Sequence, residues 1–215
     1  TGSVKFDVDI TEGIRESARQ CRQILGARPV WVAGSTHAGE DEQLLEAHRA
    51  VLGQHPQALL VIVPRHPDRF GSVAELAEKA GFNVARRSLQ QDPAHAQVYL
   101  GDTMGELMML YGAGDMAFVG GSLIERGGHN PLEPAAWGIP VLSGPHVFNF
   151  ETVYERLRAG EGVVMVQSGD ELGQAVVRLM ATREERQALG ERALAVVNKN
   201  RGALDRVVEG IVERL

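Results

Sequence analysis

Short apolar runs alternate along the chain with longer segments in which apolar residues recur every three or four positions. A short continuous run is typical of a strand buried on both faces, and the longer period is typical of an amphipathic helix. Strands are predicted at 29–34, 58–64, 82–87, 97–100, 115–120, 140–143 and 162–166. Helices are predicted at 11–25, with Thr11 as N-cap, and at 42–52, 72–81, 104–111, 133–138 and 149–160. This alternation predicts a Rossmann-like three-layer α/β/α domain with a parallel sheet.

After residue 166 the pattern is helical only. Three apolar stripes with helical spacing follow one another: Leu172, Val176 and Leu179; Leu189, Ala193 and Val197; Leu204, Val208, Ile211 and Leu215. The last stripe predicts a separate terminal helix at 203–215.

Two reactive side chains fall on predicted helix faces. Cys21 shares a stripe with Ala18 and Leu25, so it is predicted to be a core residue and not a nucleophile. His48 lies on the apolar side of its helix, so it is predicted to be a packing residue whose hydrogen bonds are satisfied.

Composition limits the class of protein. With 215 residues, 44% apolar and 23% charged, the chain is long enough to bury a core in one large domain or two small ones. The net charge of −6 argues against a general nucleic-acid binder, which would show a basic face. A single cysteine excludes a disulfide within the chain and is typical of a reducing compartment. No apolar run approaches the roughly 18 residues that a membrane-spanning helix needs.

In parallel α/β sheets, ligands bind beyond the carboxyl ends of the strands. The loops in that position are 34–41, 64–71, 100–106, 120–130 and 143–150, and each combines Gly or Pro with polar side chains. They contain no GxxxxGK[ST] motif, and no GxGxxG lies between a first strand and its helix, which disfavours P-loop NTPases and ordinary dinucleotide dehydrogenases. No pair of His or Cys has metal-ligand spacing, so no metal is predicted.

The polar residues of these loops also have structural interpretations. These are a solvated turn for Arg65 and His66, helix capping for Ser35, Thr36 and His37, and first-turn acids matched to a helix dipole for Asp102 and Glu106.

The stretch at 120–140, GGSLIERGGHNPLEPAAWGIP, has two interpretations from local physics. Backbone N–H groups near the glycines at 127–128 and at the start of the next helix would suit a phosphate. Alternatively, the NPLE segment at 130–133 has the spacing of a capping box. Pro134 weakens that second interpretation, because a helix that starts at Glu133 leaves its carboxylate free for a ligand hydroxyl. The position after a strand favours the anion site.

These loops resemble one known family. The run GDTMGELMMLYGAGDMAFVGGSLIERGGHNPLEPAAWGIPVLSGPHVFNF at 101–150 is similar to the C-terminal half of the Kdo (3-deoxy-D-manno-octulosonic acid) transferases of lipopolysaccharide assembly. VAGSTHAGEDE at 32–42 and VPRHPDRF at 63–70 resemble the same family, and TGSVKFDV at 1–8 resembles the segment that joins its two domains. The resemblance covers essentially the whole chain. Its specific part is 120–145, since EPxxxGxP alone would indicate only a sugar-nucleotide enzyme of this architecture.

The resemblance implies the C-terminal half of a GT-B glycosyltransferase, in which two Rossmann-like domains face a cleft. This half would bind the donor CMP-Kdo without a metal or other cofactor, and no nucleic acid. The other half would supply the general base, the site for the lipid A precursor and an anchor at the cytoplasmic face of the bacterial inner membrane. The first residue, Thr1, favours a fragment. The resemblance implies that this fragment is soluble, inactive alone and without a catalytic residue of its own. The implied division is an interdomain segment at 1–10, a CMP-sugar-binding domain at 11–200 and a C-terminal helix at 201–215 that packs against the other domain.

The resemblance also implies a donor site built from several loops. Its members are Gly121, Ser122, Gly128, His129 and Asn130 near the CMP phosphate, Glu133 on the ribose, Arg65 on the phosphate or the Kdo carboxylate, Ser35, Thr36 and Glu40 on the cleft wall, and Asp102, Thr103 and Met104 around the cytosine. Such contacts would stabilise CMP as charge develops on the leaving phosphate. Two alternatives stay open: a UDP-sugar transferase or epimerase of similar shape, and a regulatory module that binds nucleotide without catalysis.

Overall fold

The computed structural model describes residues 8–212, except for the side chains of 202–209, 211 and 212. The strands are β1 (Val30–Thr36), β2 (Leu59–Pro64), β3 (Val84–Arg86), β4 (Val98–Leu100), β5 (Met116–Val119), β6 (Val141–Ser143) and β7 (Val164–Met165). They form one sheet in the order β3-β4-β2-β1-β5-β6-β7, and every pairing is parallel. The predicted parallel α/β sheet is therefore confirmed.

The helices alternate with these strands. They are α1 (Glu12–Leu25), α2 (Asp41–Gln54), α3 (Phe70–Lys79), α4 (Leu107–Gly112), α5 (Leu132–Ala135), α6 (Glu151–Ala159), α7 (Gly169–Ala181) and α8 (Arg183–Val212). The hydroxyl of Thr11 accepts a hydrogen bond from the Ile14 N–H at 3.2 Å, which confirms Thr11 as the N-cap of α1.

The end of the chain differs from the prediction. The backbone of α8 continues without a break to Val212, so one helix replaces the two that were predicted around residue 200. The apolar stripe from Leu204 to Leu215 lies outside the described side chains, and residues 1–7 of the expected interdomain segment lie outside the described residues.

The five inner strands bury both faces, as their apolar runs predict, whereas the edge strands β3 and β7 are only partly buried. On β1, Val30 and Val32 join a cluster with α1 and α4, whereas Trp31 and Ala33 join a cluster with α2, α3 and α7. This alternation follows from the two-residue period of a strand. The helices therefore form two layers that cover the sheet.

The two reactive residues of the predicted helix faces are both in the core. Cys21 is 2% exposed and packs on α1's side of the sheet. His48 is fully buried, accepts a hydrogen bond from the Trp31 ring N–H at 3.0 Å through Nδ1, and lies 2.7 Å from the Gln97 carbonyl through Nε2. The predicted core positions of both residues are confirmed.

The topology determines where a ligand can lie. The chain runs outward from β1 to β2 and then to the β4–β3 edge, and it returns across the sheet to β5 on the other side of β1. The loops that follow β1 and β5 separate at this switch point, which is where doubly wound α/β domains form their binding crevice.

Candidate functional site

A cleft of about 430 Å³ opens at the carboxyl ends of the central strands. Its lining comes from the ends of β1 and β2, from the segments after β2, β4, β5 and β6, and from helices α3, α4 and α5. The residues of the predicted donor site that line it are Ser35, Arg65, Thr103, Met104, His129, Asn130 and Glu133. Residues far apart in the sequence are therefore brought into one crevice.

A bulge at the end of β1 shapes the cleft at Ser35. The register of β1 against β2 shifts between Gly34 and Thr36, and Ser35 has a φ of 56°, in the left-handed region. Non-glycine residues adopt this region at an energetic cost, and such residues concentrate at functional sites. The bulge places Ser35 in the wall of the cleft, while Thr36 is fully buried behind it.

Arg65 and Glu133 bring opposite charges to the cleft. The Arg65 side chain is exposed, and Glu133 is half-buried. Neither side chain makes a hydrogen bond or ion pair with any other residue in the described part of the chain. Burial raises the pKa of Glu133, and the positive charge of Arg65 acts against this rise. Both groups are therefore available to a ligand.

The start of α5 settles the capping question. The Asn130 side-chain oxygen accepts a hydrogen bond from the Leu132 N–H at 3.0 Å, and α5 begins at Leu132. The reciprocal bond of a capping box, from Glu133 back to the Asn130 N–H, is not formed among the described residues. The Asn130 side chain therefore closes a turn immediately before α5, and Glu133 lines the cleft.

Glu40 holds a different position from the one predicted. Its carboxylate is fully buried and accepts backbone N–H groups of Gly121 at 2.9 Å, Ser122 at 3.1 Å, Leu123 at 3.1 Å and His37 at 3.3 Å. Burial raises the pKa of Glu40, and these donors act against the rise. The N–H groups of Gly121 and Ser122, which were expected to face a phosphate, are bound by this internal carboxylate.

The glycines at 127–128 allow the loop after β5 to pack closely against the segment after β6. Both glycines have positive φ, at 87° and 76°. A Cβ on Gly127 would lie 2.4 Å from the Phe148 ring and 2.6 Å from the Asn149 amide. The Gly128 N–H donates to the Gly121 carbonyl at 2.9 Å and so is engaged within the loop. The close approach is therefore between two loops of the chain and not between backbone and phosphate.

Asp102 and Thr36 also lie behind the cleft wall. Burial acts to raise the pKa of Asp102, but donors from Ser88 and Arg86 outweigh it and hold that pKa below its ordinary value. The Ser88 N–H and the Arg86 Nε both lie 2.8 Å from this carboxylate. The Thr36 carbonyl accepts the Arg65 N–H at 2.9 Å. Both residues support the loops that carry the cleft residues.

Two histidines form a direct contact at the cleft. Nε2 of His37 lies 2.7 Å from Nε2 of His129, and the two rings lie side by side in nearly one plane, with an interplanar angle of 9° and centroids 5.0 Å apart. Burial lowers the pKa of His37 to about 4, and burial also lowers the pKa of His129. His129 lines the cleft, whereas His37 is only 5% exposed.

Comparison with solved structures identifies the family. The chain is 36% identical, with a TM-score of 0.83, to a crystal structure of the C-terminal CMP-Kdo binding domain of WaaA from Acinetobacter baumannii. The match covers 87% of this chain and 99% of that one. This chain belongs to the Kdo transferase family. The similarity also shows the fold to be that of the C-terminal half of a GT-B glycosyltransferase.

Curated Kdo transferases match over nearly all of this chain. That of Haemophilus influenzae is 46% identical over 97% of this chain and 50% of its own length, and that of Bordetella pertussis is 38% identical over 100% and 51%. This Kdo transferase chain therefore spans about half the length of the curated relatives it matches. No protein-family model matches it.

The same fold occurs outside the Kdo transferases. The C-terminal domain of a group 1 glycosyl transferase from Francisella tularensis has a TM-score of 0.63 at 17% identity, covering 93% of this chain and 97% of that one. At this identity the similarity shows the fold alone.

Aromatic residues of this Kdo transferase cleft had no signal in the sequence. Phe70, Tyr111 and Phe150 line it together with apolar residues of β2 and α4. Tyr111 reaches the cleft beneath Gly34, where a Cβ would lie 2.0 Å from its hydroxyl. An apolar stripe predicts that such residues are buried, but it does not distinguish the floor of a cleft from the core.

Across residues 8–212, no helix of this Kdo transferase chain has the length and apolar content to cross a membrane. No group of three or more His, Cys, Asp or Glu side chains with metal-binding geometry is found among those same residues.

Proposed function

We propose that this chain is the donor-binding domain of a Kdo transferase and that its cleft binds the CMP moiety of CMP-Kdo. The observation that carries the proposal is the pair of unsatisfied charges, Arg65 and Glu133, in a crevice at the switch point of the sheet. The similarity to the CMP-Kdo binding domain of WaaA supports the choice of nucleotide.

The polar groups of the cleft suit the parts of a CMP-sugar. The planar guanidinium of Arg65 can form two parallel hydrogen bonds to a phosphate or to the Kdo carboxylate. The free carboxylate of Glu133 can accept ribose hydroxyls, and in doing so it gains the partners that its burial denies it. Asn130 and His129 line the same cleft as Arg65 and Glu133 and would flank the phosphate.

The loop at 103–105 would hold the cytosine. Thr103 and Met104 line the cleft, and the Met104 side chain is 72% exposed at its mouth. The Thr103 hydroxyl donates a hydrogen bond to Glu106, and Glu106 forms an ion pair with Arg87 at 2.8 Å. These two contacts hold the loop in place. Backbone groups in a fixed loop can distinguish cytosine from uracil by hydrogen bonds to the base edge.

Thr36, Glu40, Asp102, Gly121, Ser122 and Gly128 are assigned a supporting role. Each lies behind the cleft lining, and the hydrogen bonds described above hold the loops after β1, β4 and β5 in place. Among them, Glu40 supplies the negative charge that the loop after β5 would otherwise take from a phosphate.

For the whole protein, we propose transfer of Kdo to the lipid A precursor at the cytoplasmic face of the inner membrane. The cleft residues would stabilise CMP as negative charge develops on the leaving phosphate. A general base from the other domain would deprotonate the acceptor hydroxyl, and the reaction would invert the anomeric carbon. This part of the proposal rests on membership of the Kdo transferase family.

Calorimetric titration of this chain with CMP, UMP and UDP tests the nucleotide. We expect CMP to bind more tightly than UMP or UDP. A preference for UDP would contradict the Kdo transferase function and favour a UDP-sugar enzyme. Failure of all three nucleotides to bind would contradict a nucleotide site in this cleft.

A Glu133→Ala variant tests the ribose contact. Hydrogen bonds to a charged group contribute about 1.5–3 kcal/mol, so CMP affinity is expected to fall by about 10- to 150-fold. The melting temperature is expected to stay the same or rise, because the carboxylate has no internal partner among the described residues. Glu125→Ala, in the loop that leads into α5 but exposed and outside the cleft, is the matched control and should bind CMP normally. Unchanged CMP affinity with lowered stability for Glu133→Ala would show that Glu133 is a structural residue.

A further inference from the structure

We propose that His37 and His129 act as one unit that takes up a proton when the negatively charged donor enters the cleft, with His37 as a positioning residue for His129. The inference rests on the proposed function, because it assigns a charge-balancing device to the same donor site.

The geometry of the pair limits its protonation states. The two Nε2 atoms lie 2.7 Å apart, and a contact this short between ring nitrogens requires one hydrogen between them. With one shared hydrogen, the pair is either neutral or carries a single positive charge. Two imidazolium rings would direct two hydrogens at each other, so a doubly charged pair is incompatible with this contact.

Three backbone features hold the rings together. The His37 N–H donates to the buried Glu40 carboxylate, and the His129 N–H donates to the Gly120 carbonyl at 3.2 Å. The rings pack over Gly121, where a Cβ would lie 3.1 Å from Cδ2 of His129 and 3.4 Å from Cδ2 of His37. The absence of a side chain at Gly121 therefore makes room for the pair.

The charges around the pair keep it neutral without a ligand. The titratable and charged groups that act on it are Arg65 and His66 after β2, Arg69 before α3, Arg126 after β5 and Glu40 before α2. Burial lowers the pKa of both rings, and the neighbouring positive charges act in the same direction. Near neutral pH, therefore, the unliganded cleft holds a neutral pair beside Arg65.

Binding of an anionic donor would favour the protonated form of the pair over the neutral form. A CMP-sugar brings a phosphodiester charge, and Kdo brings a carboxylate. A negative charge close to His129 favours the protonated form and raises the pKa of the pair. The added proton comes from solvent and binds the one ring nitrogen that carries no hydrogen, an Nδ1 atom. The Nε2–H···Nε2 bond is kept, and His129 presents either a charged ring or a ring polarised by its charged partner.

The test measures how binding depends on pH. CMP itself has a second phosphate ionisation near pH 6, so the probe is its methyl phosphodiester, which has none. Calorimetry between pH 5.5 and 8.5 should show affinity rising as pH falls, approaching tenfold per pH unit. Titrations in two buffers of different ionisation enthalpy should show uptake of up to one proton per nucleotide.

Variants distinguish proton uptake by the histidine pair from a purely structural role of His37. His37→Phe keeps an aromatic ring at this position but removes both nitrogens, so the pH dependence should be lost. His37→Gln should restore part of it, because its amide oxygen can accept from the Nε2–H of His129. His66→Gln is the matched control, because that ring packs edge-on against His37 at 5.5 Å outside the pair, and it should keep the pH dependence. If His37→Phe does not fold, His129→Gln replaces it and should lose the pH dependence.

The outcomes distinguish the two proposals. Binding of the phosphodiester with the same affinity at every pH would overturn the proton-uptake inference and leave the donor site standing. Full pH dependence in a folded His37→Phe variant would show that His129 acts alone and would overturn the role of His37. Failure of CMP and of its methyl ester to bind would contradict the proposed function itself and, with it, this inference.

Discussion

Replacing Glu40 tests the internal anion that organises the cleft. This carboxylate accepts N–H groups of Gly121, Ser122, Leu123 and His37, and it joins the loop after β1 to the loop after β5. In Glu40→Ala these donors lose their common acceptor. In Glu40→Gln, the single amide oxygen can serve only some of them, and the NH₂ group is turned toward the others.

The size of the effect follows from the donors left behind. A buried donor without an acceptor costs about 1–3 kcal/mol. The N–H groups of three of these residues, Gly121, Ser122 and His37, belong to buried residues. Water that enters the space left by the side chain can accept hydrogen bonds from some of these N–H groups. Glu40→Ala should therefore lower the free energy of unfolding by about 3–5 kcal/mol, which is less than the summed cost of three unpaired donors. At roughly 2–4 °C per kcal/mol for a chain of this size, the melting temperature should fall by about 6–20 °C.

Urea unfolding followed by circular dichroism measures the free energy of unfolding directly. Glu46→Ala is the matched control, because that side chain is 72% exposed on α2, the helix that follows Glu40, and forms a surface ion pair with Arg49 at 3.7 Å. The control should change stability by no more than about 0.5 kcal/mol. A loss below about 1 kcal/mol in Glu40→Ala, or wild-type stability in Glu40→Gln, would refute the role assigned to this carboxylate.

The remaining predictions concern packing and pH. Gly190→Ala should destabilise the fold by about 2 kcal/mol or more, because its Cβ would lie 2.0 Å from the Gly138 carbonyl oxygen, whereas Gly53→Ala, with nothing within 4 Å, should be neutral or stabilise by up to about 1 kcal/mol. Equal stabilities in urea would contradict the close approach at Gly190. Burial lowers the pKa of His48 from 6.5 to about 4, so the unfolded chain binds a proton in this range that the folded chain does not. Stability should therefore fall as pH is lowered from about 6.5 to 4, by up to about 1.4 kcal/mol per pH unit, and His48→Gln should lose this contribution to the slope in urea titrations. If the dependence of unfolding free energy on pH is the same in His48→Gln as in the wild type, the contribution assigned to His48 is contradicted.

The architecture could be predicted from the sequence because each element carries its own period. The apolar run at 58–64 required a strand buried on both faces, and β2 is fully buried. The continuation of α8 through residue 200 could not be predicted in this way. Asn200 lies where a helix would be expected to end, yet its side chain bonds to the Val196 carbonyl at 2.6 Å and to Arg156 of α6. A bond to the preceding turn of α8 and a tertiary contact with α6 thus override the weak helix preference of Asn200.

The candidate site was predictable in its residue types but not in its internal pairings. The rule that ligands bind beyond the strand ends, with the family resemblance, identified Arg65 and Glu133, and both line the cleft. That Glu40 would take the N–H of Gly121 depends on a contact between positions 81 residues apart. No local pattern indicates whether such N–H groups meet a ligand or a carboxylate of the same chain. The contact between His37 and His129 was unpredictable for the same reason.

The sheet ends in two very short strands, β3 with three residues on one side and β7 with two on the other. An exposed sheet edge offers unpaired N–H and C=O groups to any other extended chain, and a long edge is a template for aggregation. Here each edge has room for only one or two intermolecular hydrogen bonds, and β3 carries Arg86, whose charge is held at the edge by Asp102 at 2.8 Å. The domain is thereby protected from growing by strand addition, even though its sheet does not close on itself.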